Sequence, residues 1–295
     1  MAITAAQVKE LRERTGLGMM ECKTALLESN GDMEAAIDAL RKKAGARVEK
    51  KAGRIAAEGA IGIYLNPERT LAAMVEVNSE TDFVAKGGDF IGFAQALAVG
   101  VAKENPADID ALACMPLLAG KPVTVTQART DLVAKLGENI HVRRFVHYAA
   151  NKTHIGSYLH GRKIGVLVEI RGGDAALARD IAMHIAASRP LYVSKAEVSP
   201  QAIGREKEIF LAQAQESGKP ENIVEKMVAG RINKFINEVT LLGQVFVKDP
   251  EITVEKLLKS AAASVTRFCR YEVGEGIEKG VSDFAAEVMA QVKGG

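Results

Sequence analysis

The sequence predicts an α+β fold, and three patterns in the chain carry that prediction. Apolar residues recur at helical spacing through residues 1–53. Two apolar, β-branched runs followed by a helical segment then occur twice, beginning at Ala60 and again at Ile155. A pair of polar amphipathic helices follows the second copy. Because a sheet must cover one face with helices, the two copies predict a duplicated α+β core.

Residues 1–53 are expected to form a bundle of three short helices. Thr4 can cap the first helix together with Gln7, and Gly16 can end it. A second helix follows, and Asp32 can cap a third. Because three short helices bury little surface, a bundle of this kind usually has a binding partner.

A basic segment comes next, with seven Lys or Arg among the fourteen residues from 41 to 54. We favour a solvated linker there, because charged runs are usually exposed and this one has no interleaved aromatic residues to stack on bases. The alternative is a patch for an acidic partner. A nucleic-acid-binding protein that used this segment would bind with steep salt dependence.

Each copy in the core has the pattern of a β-hairpin followed by a helix. In the first copy, residues 60–65 and 71–77 are the strands, and residues 90–103 are the helix. The equivalent segments of the second copy are residues 155–159, 164–170 and 175–187.

The repeat sets the expected boundaries of the core. The first subdomain is expected at residues 54–150, with a further helix over 126–136 and a strand over 142–149. The second subdomain is expected in two pieces, 151–190 and 239–273. It adds a strand, a helix and a last strand, at residues 244–247, 254–268 and 270–273.

The two copies differ at one place, between the second strand and the helix. Both have Gly-Gly-Asp there, at residues 87–89 and 172–174, and the first copy carries eight extra residues before it. A repeated scaffold does not require such an insertion, and insertions on rigid scaffolds often carry function. The extra segment is therefore the first candidate for a functional site.

Residues 191–238 are expected to be an antiparallel helical hairpin inserted into the second subdomain. Its helices are too polar to form a core, and Pro220 suits the first turn of the second helix. Residues 274–295 are expected to be a C-terminal module, with a helix capped by Ser282 and docked through Phe284. The hairpin leaves open a homodimer in which it pairs with another copy.

The composition argues against several classes of protein. Lys and Arg total 39 and Asp and Glu total 37, so the net charge of +2 is too weak for nonspecific binding to nucleic acid or membranes. The three cysteines, without metal-site spacing, indicate a reducing compartment. With no signal peptide and no apolar run near ~20 residues, we expect a cytoplasmic protein.

Enzyme motifs are absent from the sequence. No phosphate-binding loop, dinucleotide fingerprint or nucleophile motif occurs, and the five histidines are not spaced as metal ligands on one helix. We therefore expect a protein that is not an enzyme and has neither a cofactor nor a metal. A helical adaptor, whose bundle binds peptides and whose hairpin dimerises, is an alternative.

Several segments resemble the elongation factor Ts family, in the family's order and over essentially the whole chain. They are residues 8–16, 18–23, 81–84, 155–167, 182–187 and 274–279. The resemblance implies a ubiquitin-associated-type bundle, two α+β subdomains and a coiled-coil hairpin, in agreement with the patterns above. It also implies a guanine-nucleotide exchange factor, which binds elongation factor Tu with GDP or without nucleotide and lets GTP replace GDP during translation.

The resemblance implies that the turn of residues 81–84 enters the G domain of elongation factor Tu and disturbs its Mg²⁺ and phosphate sites. Phe83 would be the wedge, and Asp82 would hold the turn or repel phosphate-side groups. Thr81 and Val84 would fix the loop. The alternative for Phe83 is a buried anchor for the next helix, the usual place for this residue. From the residues alone we favour the buried anchor, but the insertion in only one copy and the family resemblance together favour the wedge.

Six further residues are implied as contacts with elongation factor Tu. They are Arg12, Met19 and Met20 in the bundle, and Gly137, Asn139 and His160 in the core. Methionine suits adaptable interfaces, but a small bundle also needs apolar core residues, so one methionine of the pair could face inward. For His160 the alternative is a polar side chain at a hairpin loop. The helix around Phe284 would add a contact.

Overall fold

A computed structural model describes residues 3–215 and 220–278. The chain falls into two compact units, each made of separate stretches. One comprises the chain up to Gly62, Val75–Phe145 and the chain from Glu272, and the other comprises Ile63–Met74 and Val146–Tyr271. Helices combined with antiparallel sheets confirm the predicted α+β class.

The N-terminal bundle consists of α1 (Ala5–Thr15), α2 (Met19–Glu28) and α3 (Met33–Lys51). The predicted capping box is present: the Thr4 hydroxyl accepts from the Gln7 N–H at 3.3 Å, and the Gln7 side chain accepts from the Thr4 N–H at 3.0 Å. Gly16 ends α1 with a φ of 71°, and Asp32 caps α3. The sequence signals at these helix ends therefore act as predicted.

The linker favoured for residues 41–54 is wrong over most of its length. Helix α3 continues to Lys51, so the basic residues are carried by a helix. Ala44 is buried and continues the face formed by Ala36 and Leu40, one turn apart each. Lys, Arg and Ala are also good helix formers, and cations are favourable near a helix C-terminus.

The first sheet has the strand order β1-β2-β3, with β1 (Glu58–Leu65), β2 (Leu71–Ser79) and β3 (His141–Ala149). Its helices are α4 (Asp82–Ala85), α5 (Gly88–Glu104), α6 (Ile109–Cys114) and α7 (Val125–Leu136). In the loop between β1 and β2, the Asn66 side chain accepts from the N–H groups of Thr70 and Leu71 at 2.8 Å each. The predicted hairpin, the two longer helices and the strand β3 are confirmed.

The second sheet has the order β4-β5-β8, with β4 (His154–His160), β5 (Ile164–Arg171) and β8 (Ser264–Glu272). Strands β4 and β5 are antiparallel, with Ile155 opposite Glu169. Helix α8 (Ala175–Ser188) packs across both strands. Their shared core includes Val166, Val168, Ile170, Ile181, Ala182 and Ile185. The predicted strands and helix of the second copy are confirmed.

The predicted helical hairpin is present as α9 (Pro200–Gln215) and α10 (Glu221–Val239). Its two helices meet through a small apolar cluster of Ala214, Val224 and Val228. After it come β6 (Val245–Phe246), β7 (Asp249–Thr253) and α11 (Val254–Ser260), with β6 and β7 paired as a small sheet. The hairpin buries few side chains, as its polar sequence predicts.

The helix predicted over residues 254–268 is wrong in its second half. Helix α11 ends at Ser260, Ala262 has a φ of 48°, and strand β8 begins two residues later. A residue in the left-handed region cannot continue an α-helix, and the β-branched residues after it favour a strand. The strand predicted at 270–273 therefore starts earlier than expected.

Both sheets approach the helix that follows them through a glycine. A Cβ built on Gly62 of β1 would lie 2.3 Å from the carbonyl oxygen of Ala94 in α5. A Cβ built on Gly156 of β4 would lie 2.5 Å from the carbonyl oxygen of Ala178 in α8. Both distances are far inside van der Waals contact, so each close approach requires glycine.

Each sheet also contains a Glu–Arg pair between its second and third strands. Glu76 of β2 is fully buried and lies 2.6 Å from Arg144 of β3, and Glu169 of β5 lies 2.7 Å from Arg267 of β8. Burial alone would raise the pKa of Glu76, but the Gly274 N–H at 2.9 Å and the Arg144 guanidinium hold it below its usual value. Both arginines begin an Arg-Phe-x-x-Tyr sequence, a signal that places β8 correctly.

Two parts of the sequence-based description are untested. The C-terminal helix predicted after Ser282, with Phe284 on its face, lies outside the described residues. The division of the chain into a bundle, two core subdomains, a hairpin insertion and a C-terminal module remains a prediction.

Candidate partner-binding site

The inserted segment of the first copy presents a phenylalanine to solvent. Phe83 lies in the four-residue helix α4, and 84% of its surface is exposed. The alternative in which Phe83 anchors the next helix is wrong, because Phe90 and Phe93 of α5 are the buried anchors. Exposed aromatic rings are favoured anchors of protein interfaces, so Phe83 is the centre of the candidate site.

Thr81 organises the start of this turn. As the N-cap of α4, its hydroxyl accepts from the Val84 N–H at 3.4 Å. Its carbonyl accepts from the hydroxyl of the buried Ser79 at 3.0 Å and from the Ala85 N–H at 3.3 Å. These bonds satisfy groups that so short a helix would otherwise leave unpaired, and they hold the chain just before Phe83.

A carboxylate from a distant part of the chain holds the same threonine. Glu138 follows the end of α7, and its Oε2 accepts from the Thr81 N–H at 3.0 Å. Its Oε1 accepts from the Thr81 hydroxyl at 2.5 Å. Because the two oxygens of one carboxylate bind two groups of one residue, both the position and the orientation of Thr81 are fixed.

A second set of bonds joins this region to the end of the bundle. Glu80 accepts from the Asn139 N–H at 2.6 Å and pairs with Arg54 at 3.4 Å. The Asn139 side chain is buried and donates to the Arg54 carbonyl at 2.8 Å. Lys51 donates to the Gly137 carbonyl. Three segments that are distant in sequence are thereby tied together.

We call these segments, residues 51–54, 80–81 and 137–139, the brace. Three of the predicted site residues meet in it, namely Thr81, Gly137 and Asn139. Gly137 ends α7 with a φ of 78°, which favours glycine, and it is exposed. The side chain of Asn139 is occupied within its own chain, so a contribution from this residue to partner binding would come through the shape of the brace.

The other end of the turn carries a surface ion pair. Asp82 Oδ2 lies 2.5 Å from Lys86 Nζ, one helical turn further on. The hydrogen bond and the charge of Asp82 raise the pKa of Lys86 above its usual value. Since exposed pairs contribute little to stability, Asp82 chiefly sets the local charge beside Phe83.

The predicted contact residues of the bundle are all on its surface. Met19 and Met20 are 59% and 69% exposed, and Arg12 is exposed as well. The alternative in which one methionine faces inward is wrong, because other apolar side chains fill the core. They include Val8, Leu11, Leu17, Cys22, Ala25 and Leu26.

Several basic residues of the 41–54 segment are already paired within the chain. Lys43 lies 2.8 Å from Glu28, and Arg47 lies 2.5 Å from Glu21. Two others, at the end of α3 and just beyond it, belong to the brace. Intramolecular pairing on this scale leaves less charge for phosphate contacts and weakens the alternative of a nucleic-acid patch.

His160 belongs to the second unit, where it is exposed at the end of β4. Its ring stacks on Tyr158, with 6.2 Å between centroids, and its Nδ1 lies 3.3 Å from the tyrosine hydroxyl. Within that unit, His160 lines a shallow cleft with Met183 and Val247. An exposed imidazole beside an apolar cleft is compatible with a contact residue.

The described part of the chain contains neither a candidate metal site nor a candidate membrane-spanning helix. Within residues 3–215 and 220–278, no group of three His, Cys, Asp or Glu side chains is arranged to hold a metal ion. In the same ranges, no helix combines the length and the apolarity that a membrane span needs. An exposed ring on a fixed turn of an α+β scaffold is a feature typical of proteins that bind other proteins.

Comparison with known proteins identifies the family. A family model described as Elongation factor TS matches residues 80–275. A protein of Thioalkalivibrio sulfidiphilus named Elongation factor Ts is 58% identical over 296 residues, covering 100% of both chains. Proteins of the same name from Methylococcus capsulatus and Legionella pneumophila are 57% and 54% identical, over 99% of each chain. The chain belongs to the elongation factor Ts family of translation factors.

Sequence reasoning missed the two glutamates of the brace, Glu80 and Glu138. In the sequence both resemble ordinary surface charges, and their bonds join residues 57 and 59 positions apart. One indirect signal exists for Glu138. It stands between Gly137 and Asn139, the two core positions that the family resemblance had implicated.

Proposed function

We propose that this chain releases GDP from elongation factor Tu by inserting the Phe83 turn into the G domain of that protein. The role of nucleotide exchange factor for elongation factor Tu in translation follows from the family. The proposal concerns the step by which exchange is achieved, and that step is protein–protein binding without covalent chemistry. Thr81, Asp82, Phe83 and Val84 are the residues that dislocate Mg²⁺ in the partner.

The observation that supports this step is that the side chain of Phe83 is exposed while the backbone before it is held by hydrogen bonds. Phe83 is 84% exposed, while the residues before it are bonded to Glu138 and to the buried Ser79. A ring in solvent contributes nothing to its own fold, yet the backbone that carries it is tightly held. An exposed ring on a fixed backbone is preorganised, so it displaces groups of a partner at a lower entropic cost than a mobile ring.

The target of the wedge is the Mg²⁺ and phosphate site of elongation factor Tu. Mg²⁺ requires near-ideal octahedral geometry at short distances, and it neutralises the charge of the bound phosphates. A side chain that displaces neighbouring groups therefore weakens both the metal and the GDP. Asp82, beside Phe83 and paired with Lys86, holds the turn or, once that surface pair opens against the partner, repels phosphate-side groups.

Exchange then follows from thermodynamic linkage. If the chain binds empty elongation factor Tu more tightly than the GDP form, GDP affinity must fall by the same factor when the chain is bound. Lower affinity appears as faster GDP dissociation, and GTP refills the empty site. Nothing in this scheme requires the chain to bind a nucleotide itself.

A wider contact surface would support the wedge. Arg12, Met19 and Met20 offer a flexible apolar patch with a cation on the bundle, and His160 offers a polar contact on the second unit. The exposed backbone at Gly137 belongs to the same surface as the Phe83 turn. We expect these positions to affect binding strength more than the maximal rate of GDP release.

The test is the release of fluorescent GDP from elongation factor Tu, followed with and without this chain. We expect a large acceleration by the wild type and a loss of at least about tenfold in stimulated release with Phe83→Ala, because truncating an aromatic interface anchor often costs ~2 kcal/mol or more. Leu118→Ala is the matched control, since Leu118 is another exposed apolar side chain, 50% exposed.

Two outcomes would go against the proposal. A Phe83→Ala variant that folds and stimulates release as well as the wild type would show that the wedge assignment is wrong. The helical-adaptor alternative predicts that even the wild type leaves GDP release unchanged.

A further inference from the structure

We propose that Glu138 is a positioning residue for nucleotide exchange, which acts by holding the Phe83 turn in the orientation that the partner meets. This inference rests on the proposed function of Phe83. Glu138 touches neither the ring nor, on this account, the nucleotide site. Its effect is transmitted through Thr81, to which it makes two hydrogen bonds.

The turn needs an external support. Helix α4 has four residues, and a helix of one turn is unstable without tertiary contacts. Its most exposed side chain, Phe83, supplies no packing that would anchor it. Ala85 is buried and holds the end of the turn, so the start of the turn, before Phe83, is oriented by the groups bonded to Thr81. Glu138 supplies two of those bonds.

Glu138 is itself held on both sides. The residue before it, Gly137, ends α7, and its carbonyl accepts from Lys51. The residue after it, Asn139, has its N–H bound by Glu80 and its side chain bound to the Arg54 carbonyl. A carboxylate on so constrained a segment has few positions open to it, so its two bonds restrain the position of Thr81.

The chemistry of the carboxylate suggests a matched pair of variants. Glu138→Ala removes both acceptors. Glu138→Gln keeps two bonds, because its amide oxygen can accept from the Thr81 N–H while its amide group donates to the Thr81 hydroxyl. Thr81→Val retains the N–H bond to Glu138 but loses the hydroxyl, and with it both the second Glu138 bond and the N-cap bond from the Val84 N–H.

The experiment measures stimulated GDP release from elongation factor Tu over a range of concentrations of the full-length variants. For Glu138→Ala we expect the maximal rate to fall about tenfold, the scale of one to two lost charge-assisted hydrogen bonds. For Glu138→Gln we expect a rate near that of the wild type, and for Thr81→Val, which also loses two hydrogen bonds, a loss comparable with that of Glu138→Ala. Glu104→Ala, at an exposed glutamate at the end of α5, is the control and should leave the rate unchanged.

A second measurement reports the orientation of the turn directly. The chain contains no tryptophan, so Phe83→Trp introduces a single tryptophan at the tip, which can be excited at wavelengths that the five tyrosines do not absorb. Adding Glu138→Ala should increase the fast component of its anisotropy decay, while Glu138→Gln should not. A general loss of structure would instead appear as a lower melting temperature.

The outcomes separate this inference from the proposed function. A normal maximal rate for Glu138→Ala, together with a slow Phe83→Ala, would overturn the positioning role and leave the wedge standing. Normal rates for both variants would refute the wedge. In the double variant, Glu138→Ala should add nothing to Phe83→Ala, and a further multiplicative loss would show a role independent of the turn.

Discussion

At the scale of single residues, the candidate site consists of one exposed side chain and of hydrogen-bonded side chains that position it. Phe83 is exposed, and Thr81 and Glu138 determine where it stands. The exposed ring was predicted from the insertion in one copy together with the family resemblance, since a phenylalanine taken alone is more often buried. The sequence could not predict Glu138, since a hydrogen bond across 57 positions leaves no local pattern.

A buried histidine in the second unit gives the molecule a pH-dependent stability. His184 is fully buried, its Nε2 lies 2.9 Å from Gln244 Oε1, and its Nδ1 accepts from the Val247 N–H at 3.2 Å. Burial lowers the pKa of His184 below its ordinary value of 6.5, and the bond to Gln244 opposes this only in part. The neutral imidazole is the form that fits the fold.

Stability should therefore fall in mildly acidic solution. Because the folded pKa of His184 is lower than the unfolded one, its contribution is complete above pH 6.5 and is lost as the pH falls through the folded pKa. We expect the melting temperature to drop between pH 7.5 and about 5, and to drop less in His184→Gln. Burial and the charges of Arg129 and Arg143 lower the pKa of His141, so part of the slope should persist. Equal slopes in both proteins would contradict this assignment.

At the scale of elements, the molecule repeats one arrangement of three strands and a helix. The strand orders β1-β2-β3 and β4-β5-β8 correspond, and a glycine and a Glu–Arg pair occupy equivalent places in each sheet. The hairpins and following helices were predictable from their periodicity. The start of β8 was missed, because the apolar run between residues 254 and 268 has no period that separates a helix from a strand. The Arg-Phe-x-x-Tyr sequence shared with β3 is the signal that would have marked it.

The paired glycines give a prediction for both copies. Gly62→Ala and Gly156→Ala should each destabilise the fold by roughly 1–3 kcal/mol, because the added methyl would overlap a helix carbonyl oxygen. Gly100→Ala in α5 is the control, since apart from the adjoining turns of its own helix nothing lies within 4 Å of its Cβ position, and there alanine should stabilise by roughly 0.5–1 kcal/mol. Urea unfolding of the three variants measures the difference. Stability unchanged in the strand variants would mean that the sheets do not approach their helices this closely.

At the scale of the whole molecule, many of the charged side chains pair with groups of the same chain. The net charge is +2, and several of the basic residues on and beyond α3 pair with glutamates or with a backbone carbonyl of the same chain. The composition predicted the weak net charge. The assignment of residues 41–54 to a linker missed that their basic side chains pair with groups of the same chain. A homodimer through the hairpin and the boundaries of the subdomains remain predictions.

Because several basic residues on and beyond α3 are paired within the chain, we expect the chain to have little affinity for nucleic acid. We expect no retention of RNA in a gel-shift assay, even at low salt, because binding to phosphates requires cations that are free to replace counterions. Glu21→Gln with Glu28→Gln, which releases Arg47 and Lys43, is the informative comparison and should increase any weak binding. Tight, salt-sensitive binding by the wild type would favour the nucleic-acid alternative.

The most direct test of the central claim combines Phe83→Ala with control of Mg²⁺. Stimulated GDP release from elongation factor Tu is measured at saturating concentrations of the wild type and of the variant, first with Mg²⁺ and then with a chelator. If the Phe83 turn acts by loosening Mg²⁺, the variant should be at least about tenfold slower with Mg²⁺, and the difference should shrink once the metal is removed. Equal rates with Mg²⁺ present, from a correctly folded variant, would contradict the account.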